Sequence, residues 1–343
     1  MPTTYDFIEQ NKRRTWLLVL LFPITFAALG YLFLFGYTNL AVQTADISSA
    51  ESYYETSGAA YMGEGTPLER ANRMASIVIP VLWVVAVLWI IISYYFGDQL
   101  LLRGANALKI TKESQPEIFR LVENLCITSG LPLPQIYLIN DNSLNAFATG
   151  RDPEHASIAL TVGIVRRLER AELEGVIAHE LSHIRNRDIR LMLITVAGIS
   201  FFTFLSEMCF RSALRARVSR NSKNEGGARL VLLILGIFFA IYGYLIAPLI
   251  RLAVSRTREY QADASAALLT RNPGALANAL EKIEKDPRVE VLDQHASMAA
   301  MCIANPLDKM GLFSEISGLF ATHPPTSKRI AKLRTMDADV LRG

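Results

Sequence analysis

The sequence predicts an integral membrane protein of the α+β class, with about four hydrophobic helices and one globular domain. Two features of the composition support membrane insertion: 51% of the residues are hydrophobic, and the mean hydropathy is +0.25. The third observation is that the apolar residues are bunched into long runs almost free of charge. A soluble enzyme of 343 residues would distribute its apolar residues at the periodicities of amphipathic helices and strands instead.

The apolar runs have the length of membrane-crossing helices, since about 20 helical residues cover the roughly 30 Å of a hydrocarbon core. We call them runs one to four, and they occupy residues 16–35, 75–96, 191–210 and 230–250. Only run three contains a charged residue, Glu207. We expect run one to be an uncleaved anchor, because it is longer than the core of a signal peptide and no small-residue cleavage site follows it.

The basic residues around runs one and two predict their orientation. Three basic residues precede run one at 12–14, and four follow run two between residues 103 and 120. In the loop 36–74, most of the charged residues are acidic. The positive-inside rule therefore places the N terminus and the segment from residue 98 in the cytoplasm. The tip of the hairpin formed by runs three and four, 211–229, is also basic, so the sequence leaves open whether that hairpin spans the membrane.

We accordingly divide the chain into an N-terminal membrane region, 1–103, with two spanning helices and an outer loop, and a globular domain, 104–343. The hydrophobic hairpin at 191–250 interrupts the globular domain. Within it, a capping box of Ser114 and Glu117 predicts a helix ending at Gly130. Apolar β-rich stretches predict strands at 134–139 and 157–165, followed by a helix.

The helix after the second strand carries the motif HELSH, which places His179 and His183 four residues apart with Glu180 between them. Residues four apart lie on one face of a helix, so both imidazoles can bind one metal ion. Glu180 points about 100° away, where it can reach a water on that ion without being a ligand. The chain has only five histidines, which makes a chance match improbable. The motif therefore predicts half of a hydrolytic zinc site.

A catalytic zinc usually has a third protein ligand, and the hairpin geometry favours Glu259. His183 lies shortly before run three and Glu259 shortly after run four. If the two runs are antiparallel, both residues lie at the same level along the hairpin axis. Glu207 lies at the far end of run three, roughly 36 Å along the helix. Asp263 lies one turn after Glu259 and could accept the second N–H of a ligand histidine. The alternative places Glu259 and Asp263 on a solvated face with neighbouring arginines.

Other classes of site and partner have little support. The three cysteines (Cys126, Cys209 and Cys302) are far apart and form no CxxC pair, which argues against a disulfide framework and a thiolate zinc site. The net charge is +3, and basic residues at membrane flanks account for much of it. Nucleic-acid binding is therefore not expected.

Four motifs in order resemble the HtpX-like membrane metalloproteases, relatives of the CAAX prenyl proteases. These are HELSH, EYQADASA after the hydrophobic hairpin, NAFATG at 145–150 and HPPTSKRI at 323–330. The resemblance implies a zincin-like domain of the gluzincin type and one Zn²⁺ per chain. It further implies that His179, His183 and Glu259 hold the metal and that Glu180 is the general base and acid.

The resemblance also assigns roles to the other two motifs. It implies that Asn145, Ala146, Phe147 and Ala148 lie on an edge strand beside the cleft and pair with the substrate backbone. An exposed strand edge holds an extended peptide through main-chain hydrogen bonds, with little demand on its sequence. His323 corresponds to a histidine near the reacting carbonyl, where it could steady the oxyanion.

We therefore expect a membrane-integrated zinc endopeptidase that cleaves unfolded or membrane-associated polypeptides, in the quality control of membrane proteins. Its partners are polypeptides and the lipid bilayer, and its expected location is the inner membrane of a bacterium or archaeon with the protease domain in the cytoplasm. One alternative is a CAAX-type processing protease, disfavoured because four runs are too few to enclose a membrane chamber. Others are a non-catalytic adaptor that keeps the fold, and a transporter in which Glu207 is an intramembrane charge.

Overall fold

The computed structural model describes residues 4–44, 67–215, 230, 232–243, 256–285, 302–303 and 324–340. The chain forms two compact units. The sheet unit comprises Met1–Thr15, Ser93–Ser200 and Tyr242–Gly343, and the helical unit comprises Trp16–Ile92 and Phe201–Ile241. The division proposed from the sequence, at residue 103 with the hairpin as an insertion, stays a prediction.

Two long helices come first in the described part of the chain, followed by four short strands and further helices. In chain order they are α1 (Thr4–Thr44), α2 (Pro67–Gly104), β1 (Ala107–Lys109), α3 (Pro116–Ser129), β2 (Gln135–Ile139), β3 (Ala146–Gly150), β4 (Ala156–Thr161), α4 (Val162–Arg167), α5 (Arg170–Arg185), α6 (Asp188–Arg215), α7 (Leu232–Gly243), α8 (Arg256–Thr270), α9 (Pro273–Lys285) and α10 (Thr326–Val340). A one-turn 3₁₀ helix, Pro153–His155, lies between β3 and β4.

Runs one to three lie in helices that are long and apolar enough to cross a membrane. The candidate spans are Arg13–Leu32 in α1, Asn72–Gly104 in α2 and Asp188–Arg215, which is α6. Run four contributes α7, a shorter apolar helix, with residues on either side of it outside the described part of the chain. The α+β class and the hydrophobic helices predicted from the sequence are confirmed.

Aromatic side chains pack the helical unit together. The ring of Phe26 in α1 lies 5.5 Å from that of Phe202 in α6, edge to face, and Trp89 in α2 lies 5.1 Å from Phe201. Large apolar side chains such as Trp16 remain exposed on the outer faces of these helices. An apolar outer surface of this kind is stable in hydrocarbon rather than in water.

The sheet unit contains a four-stranded sheet in the order β1-β2-β4-β3. Strands β2 and β4 are parallel, with Tyr137 opposite Ala159, and β3 runs antiparallel to β4, with Phe147 opposite the same Ala159. Strand β3 therefore lies at one edge of the sheet. Helix α5, which carries the HELSH segment, packs against β3 and against α8 and α9.

Two local predictions in this unit are wrong. Ser114 does not cap α3, because its hydroxyl binds the backbone of Thr111, and the N-cap is Gln115. The second predicted strand, 157–165, ends at Thr161, whose side chain accepts a hydrogen bond from the Ile164 N–H and caps α4. The predicted end of α3 is correct, since Gly130 adopts a left-handed conformation with φ of 69°.

Helix α5 starts at a capping box that the sequence analysis did not identify. Glu172 accepts a hydrogen bond from the Glu169 N–H at 2.8 Å, and the Glu169 side chain accepts in return from the N3 backbone. Gly175 allows α9 to approach closely, because a Cβ at this position would lie 3.1 Å from the Leu276 Cβ. Capping and close packing together fix the position of the helix that carries HELSH.

Candidate metal centre

His179, His183 and Glu259 meet inside the sheet unit. The two histidines lie one turn apart on α5, and their Nε2 atoms are 3.2 Å apart. Glu259, in the first turn of α8, places Oε2 3.7 Å from His179 Nε2 and Oε1 3.6 Å from His183 Nε2. The return of Glu259 to the height of His183, expected from the hairpin geometry, is therefore observed.

The three side chains fit a zinc ion. Tetrahedral zinc with nitrogen and oxygen ligands at 2.0–2.2 Å keeps its donor atoms about 3.3 Å apart. The two imidazole nitrogens are 3.2 Å apart, and each lies 3.6–3.7 Å from a different oxygen of the Glu259 carboxylate. One ligand atom from each residue lies within 4.8 Å of the others, and His179 and Glu259 are each 1% exposed. Carboxylate and imidazole are also the ligand types of catalytic zinc sites. These residues form a candidate zinc-binding site.

Glu180 follows His179 on α5 and is 2% exposed. Its charge acts on groups around the metal centre. Burial lowers the pKa of His183, but Asp188, Glu259 and Glu180 outweigh it and raise this pKa to about 9. Burial, and then Glu180, raise the pKa of the Cys302 thiol. A buried carboxylate thus follows the first histidine of the candidate site, and its role as a general base stays a prediction.

Asp263 contacts His179 on the side of the ring away from the ligand cluster. Its Oδ1 lies 3.0 Å from His179 Nδ1, so a proton on Nδ1 leaves Nε2 free for a metal. Burial raises the pKa of Asp263, but Arg329, followed by His179, outweighs it and lowers this pKa to about 2. Both Glu259 and Asp263 are buried, so the alternative of a solvated face is wrong.

His183 has the same kind of partner, which the sequence analysis missed. Asp188 Oδ2 lies 3.0 Å from His183 Nδ1, and Asp188 Oδ1 lies 3.4 Å from Nη1 of Arg258. Asp188 comes five residues after His183, just beyond the end of α5 at Arg185. A carboxylate one turn beyond the second histidine was the available signal, but the turn between α5 and α6 could not be predicted.

The NAFA segment lies at the start of β3, the strand that packs against α5. Ala146, Phe147 and Ala148 belong to β3, and Asn145 precedes it and receives the Ala146 N–H on its side-chain oxygen. All four residues are buried. The Ala146 carbonyl accepts a hydrogen bond from the Ile303 N–H at 3.0 Å, so part of this strand edge is already paired.

Two other residues weighed from the sequence have different outcomes. His323 lies outside the described residues, so its role stays a prediction. Glu207, the rival third ligand, is exposed and forms an ion pair with Arg211 on the same helix.

Known proteins resemble the chain over most of its length. The family profile of peptidase family M48 matches residues 112–337. A protease HtpX homolog of Bacteroides fragilis is 37% identical over 326 residues, covering 95% of this chain and 96% of that protein. The homolog of Ligilactobacillus salivarius is 38% identical over 97% of this chain and 99% of its own. That of Tropheryma whipplei is 43% identical over 71% of this chain and 81% of its own.

Among solved structures, the crystal structure of S. mikatae Ste24p aligns with 84% of this chain and 65% of that chain, at 20% identity and a TM-score of 0.45. The family profile covers the HELSH motif, Glu259 and the whole HPPTSKRI motif. The family match, the full-length relatives and the apolar helices agree with the His179, His183 and Glu259 cluster. The chain therefore belongs to peptidase family M48 and is a membrane zinc metalloprotease.

Proposed function

We propose that the chain is an endopeptidase with one zinc ion, held by His179, His183 and Glu259, and that it cleaves unfolded or membrane-associated polypeptides. The observation that carries the proposal is the meeting of these three side chains, whose nitrogen and oxygen atoms approach to 3.2–3.7 Å, with Glu180 buried beside them. A non-catalytic adaptor would not require Glu180 in that position.

Glu180 is the proton carrier of the proposed reaction. When bound, zinc would act as a Lewis acid that lowers the pKa of a water molecule and polarises a peptide carbonyl. Glu180 accepts the proton of the attacking water and returns it to the leaving amine, so one carboxylate acts first as base and then as acid. His323 steadies the negative charge that develops on the carbonyl oxygen.

The proposed substrate site is the edge of β3 with the residue before it, Asn145 to Ala148. An extended peptide that adds a strand here is held through its backbone, which favours unfolded segments over particular sequences. Because the Ala146 carbonyl accepts the Ile303 N–H, a peptide that pairs at Ala146 must displace that contact. The hydrogen bond from Ile303 therefore competes with substrate for this strand edge and affects how tightly substrates bind.

The proposed setting is quality control in the inner membrane of a bacterium or archaeon, with the protease domain in the cytoplasm. The candidate spans support membrane insertion, and the basic flanks of the first two runs support the orientation. Reporter fusions at residue 55 and after residue 343 test this proposal. A cytoplasmic signal is expected only from the second, and the opposite pattern would refute the orientation.

The test of catalysis compares the wild type with Glu180→Gln in detergent, on an unfolded model protein. Both are expected to bind one zinc, and only the wild type is expected to cleave. Glu174→Gln is the matched control, because Glu174 lies on the same helix but is partly exposed. If both proteins bind zinc and neither cleaves, the adaptor alternative gains support. Zinc absent from both would refute the metal centre.

A further inference from the structure

Arg329 is one of the most deeply buried side chains described in the sheet unit, although it is charged. It lies in the first turn of α10 and is 1% exposed. A buried guanidinium is stable only when it is paired and hydrogen-bonded. The groups that pair with the Arg329 guanidinium therefore indicate its role in the fold.

The main partner of Arg329 is Asp263. Arg329 Nη2 donates to Asp263 Oδ1 at 2.7 Å, and Nε donates to Oδ2 at 2.8 Å. This two-bond arrangement fixes the plane of a carboxylate as well as its position. Arg329 Nη1 also donates to the Ile303 carbonyl at 3.2 Å and lies 3.7 Å from Glu259 Oε2. Its Nη2 lies 3.4–3.5 Å from the two ring nitrogens of His179 as well, so the guanidinium contacts this ring directly in addition to holding Asp263.

The fixed carboxylate is the one that contacts His179. Asp263 Oδ1 accepts from Arg329 and lies 3.0 Å from His179 Nδ1. Without the guanidinium, Asp263 could rotate and His179 could turn its Nε2 away from the other ligands. We propose that Arg329 is a positioning residue of the metal centre, which acts through Asp263 to hold His179 in its ligand orientation. The inference rests on the metal centre of the proposed function.

The arginine on the other side of the metal centre, Arg258, makes a weaker contact with its carboxylate than Arg329 does. The distance from Arg258 Nη1 to Asp188 Oδ1, 3.4 Å, is longer than either hydrogen bond from Arg329 to Asp263, so the His183 side of the centre has a looser version of the same chain of contacts. If bidentate geometry is what positions a ligand, the loss of Arg329 must weaken zinc binding more than the loss of Arg258.

The test measures the zinc Kd of the full-length protein in detergent by chelator competition, in a Glu180→Gln background so that no variant cleaves itself. Arg329→Gln is expected to raise Kd about 10- to 100-fold, the range found when groups behind metal ligands are removed. Arg334→Gln is the matched control, since Arg334 lies on the same helix in an exposed ion pair with Glu281. It is expected to leave Kd unchanged.

A purely structural role for Arg329 would lower the unfolding temperature of the metal-free protein without changing Kd. A Kd for Arg329→Gln less than about tenfold above the parent value, or a tighter one, overturns the proposal. If the parent protein itself binds no zinc, the proposed function fails as well, which separates the two outcomes.

A second pair of variants decides the question if Arg329→Gln does not fold. Asp263→Asn and Asp263→Asn with Arg329→Gln bury no unpaired carboxylate at position 263. Because Arg329 acts through Asp263, the two are expected to share the same weakened Kd. A further loss of about tenfold or more in the double variant would show that Arg329 acts by another route, and would overturn the proposal.

Discussion

Asp188→Asn tests the site through a residue that sequence reasoning did not identify. Asparagine keeps the shape of the side chain and an oxygen that can accept from His183 Nδ1, where Asp188 Oδ2 now lies at 3.0 Å. It removes the negative charge from that contact and from the contact with Arg258 at 3.4 Å. The substitution therefore isolates the charge from the geometry.

The expected magnitude follows from the loss of charge. A hydrogen bond to a charged group contributes about 1.5–3 kcal/mol and a neutral one about 0.5–1.5 kcal/mol, a difference of about 1–1.5 kcal/mol. At about 1.4 kcal/mol for each factor of ten, the zinc Kd rises about tenfold. The metal-free protein also loses up to about 3 kcal/mol of stability, because Arg258 stays buried beside a weaker partner.

The assay is chelator competition for zinc, with the unfolding temperature of the metal-free protein measured in parallel. Asp152→Asn is the control, since Asp152 makes a similar contact with His155, at 2.7 Å, on the surface. An unchanged zinc Kd in Asp188→Asn, or an equal change in Asp152→Asn, would refute the assignment of Asp188 to the metal centre.

Three further predictions follow. The pKa of His183 is raised to about 9 from an ordinary 6.5, so its protonated ring stabilises the metal-free protein. This contribution is fully present below pH 6.5 and is lost as pH rises through about 9. Zinc must displace that proton, so calorimetry in buffers of different ionisation enthalpy should show about one proton released per zinc at pH 7; zero release contradicts this. Gly163→Ala places a Cβ 2.0 Å from the Asn142 carbonyl oxygen, and should lower stability by about 3 kcal/mol or more; an unchanged unfolding temperature contradicts this. Ile303→Pro removes the N–H that the Ala146 carbonyl accepts, and should lower KM for an unfolded protein about two- to tenfold; a higher KM at unchanged stability contradicts this.

Sequence patterns identified the long helices, and the three residues that meet in the candidate zinc site, from spacings that can be measured along the chain. Runs one to three give long apolar helices, and the four-residue spacing of His179 and His183 places both on one face of α5. Glu259 could be selected because a hydrophobic hairpin has a calculable length. Strand β1 has only three residues, too few for a periodicity to be recognised.

Of the residues behind the candidate ligands, Asp263 was predicted from its spacing to Glu259, whereas Arg329 and Asp188 were not. Arg329 and Asp263 are separated by 66 residues, and Arg329 belongs to a motif that reads as an ordinary helix start. Asp188 is close to His183 in sequence, but its contact depends on the turn in which Arg187 adopts a φ of 58°. Local competition also makes a capping pattern misleading, since Ser114 and Thr111 bind one another instead of capping α3.

X-ray absorption at the zinc edge, on the full-length Glu180→Gln protein, tests the central claim most directly. The structure predicts two imidazole nitrogens and carboxylate oxygen at about 2.0–2.2 Å from the metal, with no sulfur ligand. Loss of one imidazole in His179→Ala would link the spectrum to this site. A sulfur scatterer at about 2.3 Å, from a cysteine such as the buried Cys302, or a protein that binds no zinc, would contradict the account.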